Sequence, residues 1–197
     1  IAFASRASNF VPNDTNASDV FVKSLTTGVI DRISTDKDGQ QAETPSMGSG
    51  SAYPAWSPDG NRVAFSSDAN NLVPNDTNAE QDVFVKTLST GAIERVSTDS
   101  DASQLGWPSY QPLWSPDGTK IAFSTCTSSC TGQIFVKDLT SGRLVDVSTS
   151  ADGVPADRFA RGPVWSPDGT RMAFSSAATN LIPGDTSPQD DISTSSP

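Results

Sequence analysis

The chain has 197 residues, 23 acidic against 13 basic side chains, a formal charge of −10 and no histidine. A surface of that sign disfavours nucleic acid and anionic membranes as partners, and suits an exported protein or one that holds cations. There is no run of about 18 apolar residues, so no membrane span is expected. The lack of histidine excludes a Ser-His-Asp or Cys-His site within these residues.

The pattern that orders the rest is a repeat, the signature of a propeller, solenoid or array. Ala-Phe returns at 2–3, 64–65, 122–123 and 173–174, with steps of 62, 58 and 51 residues from phenylalanine to phenylalanine. Trp-Ser-Pro-Asp-Gly returns at 56–60, 114–118 and 165–169, and Phe-Val-Lys at 21–23, 84–86 and 135–137. In chain order, the first unit begins directly on its Ala-Phe strand, without a Trp-led strand before it, and runs to residue 34. That opening reads as a removed leader or as an excerpt of a longer protein. A connector rich in Gly, Ser and Gln spans 35–52.

The second unit, 53–97, is the fullest. An apolar strand leads into Trp56, and Ser-Pro-Asp-Gly makes a turn, because proline pre-sets φ and Asp and Gly suit the positions after it. A strand over 62–66, a long polar loop, Val-Phe-Val-Lys, a Thr-Gly turn and a strand over 92–97 follow. Alternation puts Val20 and Val22 of the first copy on one face and Phe21 on the other. The third unit, 111–148, has its second-to-third-strand loop cut to 125–132. The fourth opens at 162 and fades at Asp191 and Ile192, where Phe-Val-Lys is due. Residues 193–197 read as a disordered tail.

No window sustains an apolar i, i+3, i+4, i+7 pattern, so almost no helix is expected. Four antiparallel strands repeated radially make a β-propeller. The expected fold class is therefore all-β, with about three and a half four-stranded blades over 1–192: partial blade 1–34, blades 53–97 and 111–148, partial blade 162–192. A ring closes with about four to eight blades. A second copy joined head to tail as a homo-oligomer, a dimer for instance, or a longer parent propeller would complete it.

The motifs carry a resemblance. W-S-P-D-G-x-x-[IV]-A-F-x-S followed by [IV]-[FY]-V-x-x-L-x-[ST]-G resembles the WD40-like (PD40) repeat of TolB-type propellers, and covers nearly the whole chain. The loop pattern A-x-N-L-V-P-x-D-T-N resembles a subgroup found in bacterial, mostly exported, proteins, which implies a secreted or periplasmic location. The resemblance is specific for fold and says little about ligand.

Successive antiparallel strands put the short turns at one end of each blade and the long loops and connectors at the other, where binding is expected. The sharpest signal there is a loop with oxygen side chains at alternate positions, closed by an aspartate at a strand start. It occurs as Asp14, Asn16 and Asp19, as Asp76, Asn78 and Asp82, and in a weaker copy as Asp185 and Asp191. Calcium takes six to eight hard oxygens, and such a loop offers three side chains plus carbonyls. The competing reading is that Asp and Asn only build Asx-turns. Asn9, Asn71 and Asn180 read as turn residues beside an apolar plug, and Asp59, Asp117 and Asp168 as turn formers. Trp56, Trp114 and Trp165 recur with the repeat and read as packing.

Trp107, Tyr110, Arg158, Phe159 and Arg161 lie in connectors and do not recur, which makes them candidate contacts for a glycan or peptide. Cys126 and Cys130 share one loop, and a local disulfide is the expected pairing. The leading functional expectation is a non-enzymatic binding or assembly scaffold with calcium-type sites, partnered by itself or another protein. The alternatives are a lectin-like module and, third, a carboxylate-pair glycosidase.

Overall fold

The computed structural model describes residues 1–15, 18–43, 50–126, 131–187 and 189–196, and none of these is helical. Fourteen strands form four sheets: β1 (Ala2–Ser5), β2 (Asp19–Lys23) and β3 (Ile30–Arg32); β4 (Ala52–Trp56), β5 (Arg62–Ser67), β6 (Asp82–Thr87) and β7 (Ile93–Arg95); β8 (Ser109–Trp114), β9 (Lys120–Cys126), β10 (Gly132–Asp138) and β11 (Leu144–Asp146); β12 (Ala160–Trp165), β13 (Met172–Ser176) and β14 (Asp191–Ser195). Every pairing is antiparallel and sequential, and the copies share one register: Phe3 faces Phe21, Phe65 faces Phe84 and Phe123 faces Phe135 across the ladder. The sheets are blades of an open arc, two of four strands and two of three.

Each Ser-Pro-Asp-Gly turn is locked in the same way. The glycine N–H bonds back to the serine carbonyl at 2.9 Å in all three, with φ near 70°, a region open to glycine without a Cβ clash. The serine hydroxyl donates to the turn aspartate, at 2.6 Å for Asp117 and 2.5 Å for Asp168. These hydroxyls, joined by the Thr119 and Thr170 backbone N–H groups, hold both carboxyls down at about 2. The turn-former reading of these aspartates matches the geometry.

The sequence reading missed a feature of the first strands. The residue before their proline takes positive φ at Tyr53 (54°), Gln111 (56°) and Gly162 (62°). The ladder shifts register there in every Trp-led strand, so each carries a bulge.

The cores lie between blades. Val20 and Ile33 of the first blade pack with Val63, Phe65 and Phe84 of the second. Val83, Val85 and Val96 then meet Trp114, Ile121 and Phe123 of the third, and Ile134, Val136 and Val147 meet Met172, Phe174 and Trp165 of the fourth. Alternation thus sends one face of each blade to its predecessor and the other to its successor. Trp114 also donates its indole N–H to the Ala55 carbonyl of the preceding blade at 3.1 Å, and the Arg62 guanidinium lies 4.5 Å over its ring.

One expectation at the chain end is corrected. Ser193, Thr194 and Ser195, read as tail, belong to β14 and pair with Phe174, Ala173 and Met172. Backbone pairing with β13 needs no particular side chain, so a strand forms there although Phe-Val-Lys is absent.

Candidate functional site

At the long-loop end, the first two copies of the aspartate loop close into buried clusters of one design. Ser34 donates to Asp19 at 2.6 Å, the Gln41 amide donates to Asp19 at 2.7 Å and to the Thr15 hydroxyl at 2.8 Å, and Arg32 reaches Asp14 at 3.0 Å. In the second blade Ser97 donates to Asp82 at 2.5 Å. Gln104 donates to Asp76 at 2.7 Å and to Asp82 at 2.9 Å, and Arg95 lies 3.3 Å from Asp76 and 3.7 Å from Asp82. Each cluster thus ties together the long loop, the start of the third strand, the fourth strand and the outgoing connector.

Two carboxylates meet one guanidinium in each cluster, away from water. Burial pushes the Asp19 carboxyl up to about 6, against the lowering effects of the Ser34 hydroxyl and the Arg32 charge. Burial also raises Asp82, opposed by Ser97 and Gln104.

The expected ligand sets are therefore brought together only in part. Asp14 meets Asp19, and Asp76 meets Asp82, but Asn78 turns away and donates to the Leu105 carbonyl at 2.8 Å. Asn16 lies outside the described residues. Asp185 accepts the Ser187 N–H at 2.9 Å, as an Asx-turn does, and Asp191 is exposed. Among the described residues, no group of three or more His, Cys, Asp or Glu side chains is set to hold a metal. A calcium ion in the first two loops would have to compete with Arg32 and Arg95.

Sequence reasoning missed the two arginines, yet the chain carries a signal for them. In the third blade, where the loop is trimmed, Gln133 stands at the Asp82 position, Asp146 at the Arg95 position and Pro155 at the Gln104 position. The acid, its cation and the amide disappear together.

Of the five candidate connector residues, Trp107, Arg158 and Phe159 precede the first strands, whereas Tyr110 and Arg161, read as connector, lie within β8 and β12. Trp107 and Phe159 are exposed, and Arg158 is exposed. Tyr110 and Arg161 lie at equivalent positions of β8 and β12, and Arg161 pairs with Asp190. The Phe159 ring covers Gly132 so closely that a Cβ there would stand 2.5 Å from it. This gives Phe159 a packing role alongside its exposure. The Cys126–Cys130 pairing falls on Cys130, outside the described residues.

Asn71 and Asn180 are more than turn residues, because each clips the connector of the preceding blade. Asn71 accepts the Glu43 N–H at 2.8 Å and donates to the Gln41 carbonyl at 2.9 Å. Asn180 does the same with Asp157 at 3.0 Å and Pro155 at 2.8 Å. Beside the first clip lies a groove of about 600 Å³ between the Asp36–Asp38 hairpin and the Leu72–Asp76 loop.

No family model matches the chain. It is 27% identical over 169 residues to dipeptidyl-peptidase 5 of Porphyromonas gingivalis, covering 82% of this chain and 23% of that protein. In structure it is similar to a putative TolB from Agrobacterium tumefaciens, with a TM-score of 0.60 at 16% identity, over 98% of this chain and 59% of that one. It is also similar to the β-propeller domain of the trilobed protease from Pyrococcus furiosus, described as having an open velcro topology (TM-score 0.58, 13% identity, 100% of this chain and 55% of that one). The chain thus spans under a quarter of that peptidase and somewhat over half of those propellers. At such identities the structural likeness bears on fold alone, and the fold of this chain is an open arc of β-propeller blades.

Proposed function

We propose that this chain is a binding and assembly scaffold of an exported bacterial protein, without catalytic residues of its own. The observation that carries the reading is the buried Asp-Arg-Gln cluster in the first two blades, which fixes long loop and outgoing connector as one body. A preformed surface loses little on binding, which is what a scaffold needs. The peptidase-related likeness supports a propeller that serves a catalytic domain. With no histidine in these residues, a Ser-His-Asp site would have to lie outside them. Incubating the purified chain with dipeptidyl chromogenic substrates and with polysaccharides tests this. No turnover above buffer is expected, and turnover abolished by a single carboxylate substitution would overturn the reading.

A second reading keeps calcium at the long loops, because two carboxylates face one guanidinium in each cluster. Its test is the mass by light scattering and the thermal midpoint, each with millimolar calcium and with chelator. A calcium-dependent rise in midpoint that is lost in Asp82→Asn supports it. Identical values with and without calcium remove it. A chelator-sensitive doubling of mass would assign calcium to head-to-tail assembly. For a glycan partner, an array probed with wild type and Trp107→Ala decides.

A further inference from the structure

We infer that the face of the first blade turned away from the second is a docking surface for the connector hairpin of a further blade of the same repeat class, received by Lys23, Asn9 and Phe10. The inference rests on the scaffold reading and names the chemistry of its partner.

Three successive blades show how such a face is covered. In the second, the Lys86 ammonium donates to the Thr35 carbonyl at 3.0 Å, the Thr35 hydroxyl at 3.1 Å and the Asp36 carbonyl at 2.7 Å, all on the preceding connector. Asn71 clips the same connector, and Leu72, 2% exposed, packs with Ile33 and Ala42. In the third, Lys137 donates to the Thr98 carbonyl at 2.9 Å and the Asp99 carbonyl at 2.8 Å. In the fourth, Asn180 makes the clip. Each connector is thus held by part of the same staple: lysine and clip together on the first, the lysine on the second and the clip on the third.

Lys23, Asn9 and Phe10 stand at the repeat positions of Lys86, Asn71 and Leu72. Lys23 lies on the Phe21 side of β2, opposite Val20 and Val22, which pack on the second blade. Lys23 and Asn9 are exposed, and their side chains make no hydrogen bond or ion pair among the described residues. Phe10 is 38% exposed, edge-on to Phe21 at 5.4 Å and to Phe3 at 5.6 Å. The face thus offers a cation for two neighbouring carbonyls, an amide for one backbone C=O and N–H, and an aromatic platform for a small apolar side chain. A hairpin of the Ser-Thr-Asp-x-x-Gly type followed by Gln-Gln-Ala-Glu, as at 34–43, matches all three. The connectors of this chain are already held by its own later blades, so the occupant is a blade beyond these four.

The test titrates a labelled synthetic peptide with the sequence of residues 30–43 into the full chain. Saturable binding is expected, weakened about tenfold or more by Lys23→Ala and by Asn9→Ala, as loss of a hydrogen bond to a charged group or a backbone clip implies. A free hairpin loses affinity to ordering, so a second protein carries the hairpin covalently. A copy of residues 30–62 placed directly ahead of Ile1 supplies, by the repeat register, both a connector and a Trp-led strand. In that extended protein Lys23→Ala and Asn9→Ala lower the thermal midpoint by about 3 °C or more. In the parent chain they leave it unchanged. Equal effects in the two proteins, or peptide binding indifferent to both substitutions, would overturn the inference. Self-association lost in Lys23→Ala without any peptide binding would overturn the occupant and give the face to a second copy. Hydrolytic turnover bears on the scaffold reading and leaves these outcomes unchanged.

Discussion

Asp19 is the residue whose chemistry the fold alters most. Its carboxyl rises to about 6 from 3.8 because burial disfavours the charge more than Ser34 and Arg32 favour it. A raised folded value means the neutral acid is the better-held form. The stability it contributes is full below about 4 and is lost as pH rises through about 6, an effect of at most about 3 kcal/mol. Asp19→Asn should flatten that part of the urea-midpoint profile between pH 4 and pH 6. A profile parallel to wild type would place the titration elsewhere. The turn aspartates were legible in sequence because Ser-Pro-Asp-Gly is a local motif whose partners lie within five residues. The arginines were not, because Arg32 lies 18 residues from Asp14 and charge pairing across a sheet leaves no local signature.

At the scale of elements, strands were legible where a two-residue alternation met a turn signal at each end, as in β5, β6, β9 and β10. β14 was not, since Ile192 is exposed and Ser193 stands where the repeat has phenylalanine, so the strand rests on ladder bonds alone. The clusters fasten the long loop and the connector to the strands, which the ladder does not do. Arg95 on β7 holds Asp76 of the long loop and Asp82 of β6 while only 10% exposed. Arg95→Met leaves two buried carboxylates without a cation, and should cost about 3–5 kcal/mol in urea unfolding. A cost below about 1 kcal/mol would mean that the loop is held by Gln104 and Ser97 without it.

At the scale of the whole molecule, the repeat fixes which blade faces meet. The tryptophans show the effect of position. Trp114 is 6% exposed, bonded to β4 of the preceding blade, and Trp165 is 9% exposed in the core between the third and fourth blades, while Trp56, with no Trp-led strand before it in this sequence, is 36% exposed. The succession of blades was readable from the spacing of Trp-Ser-Pro-Asp-Gly. What binds the blades to each other was not, because Lys86 and Asn71 act on backbone carbonyls and N–H groups, which any sequence supplies. Burial lowers the Lys86 and Lys137 ammonium groups, and the connector carbonyls receive them. The most direct test of the account is urea unfolding of Lys86→Ala beside Lys23→Ala, the same side chain in the same repeat position with and without a preceding connector. Lys86→Ala should lose about 1–3 kcal/mol and Lys23→Ala should stay within about 0.5 kcal/mol of wild type; equal losses at the two positions would contradict it.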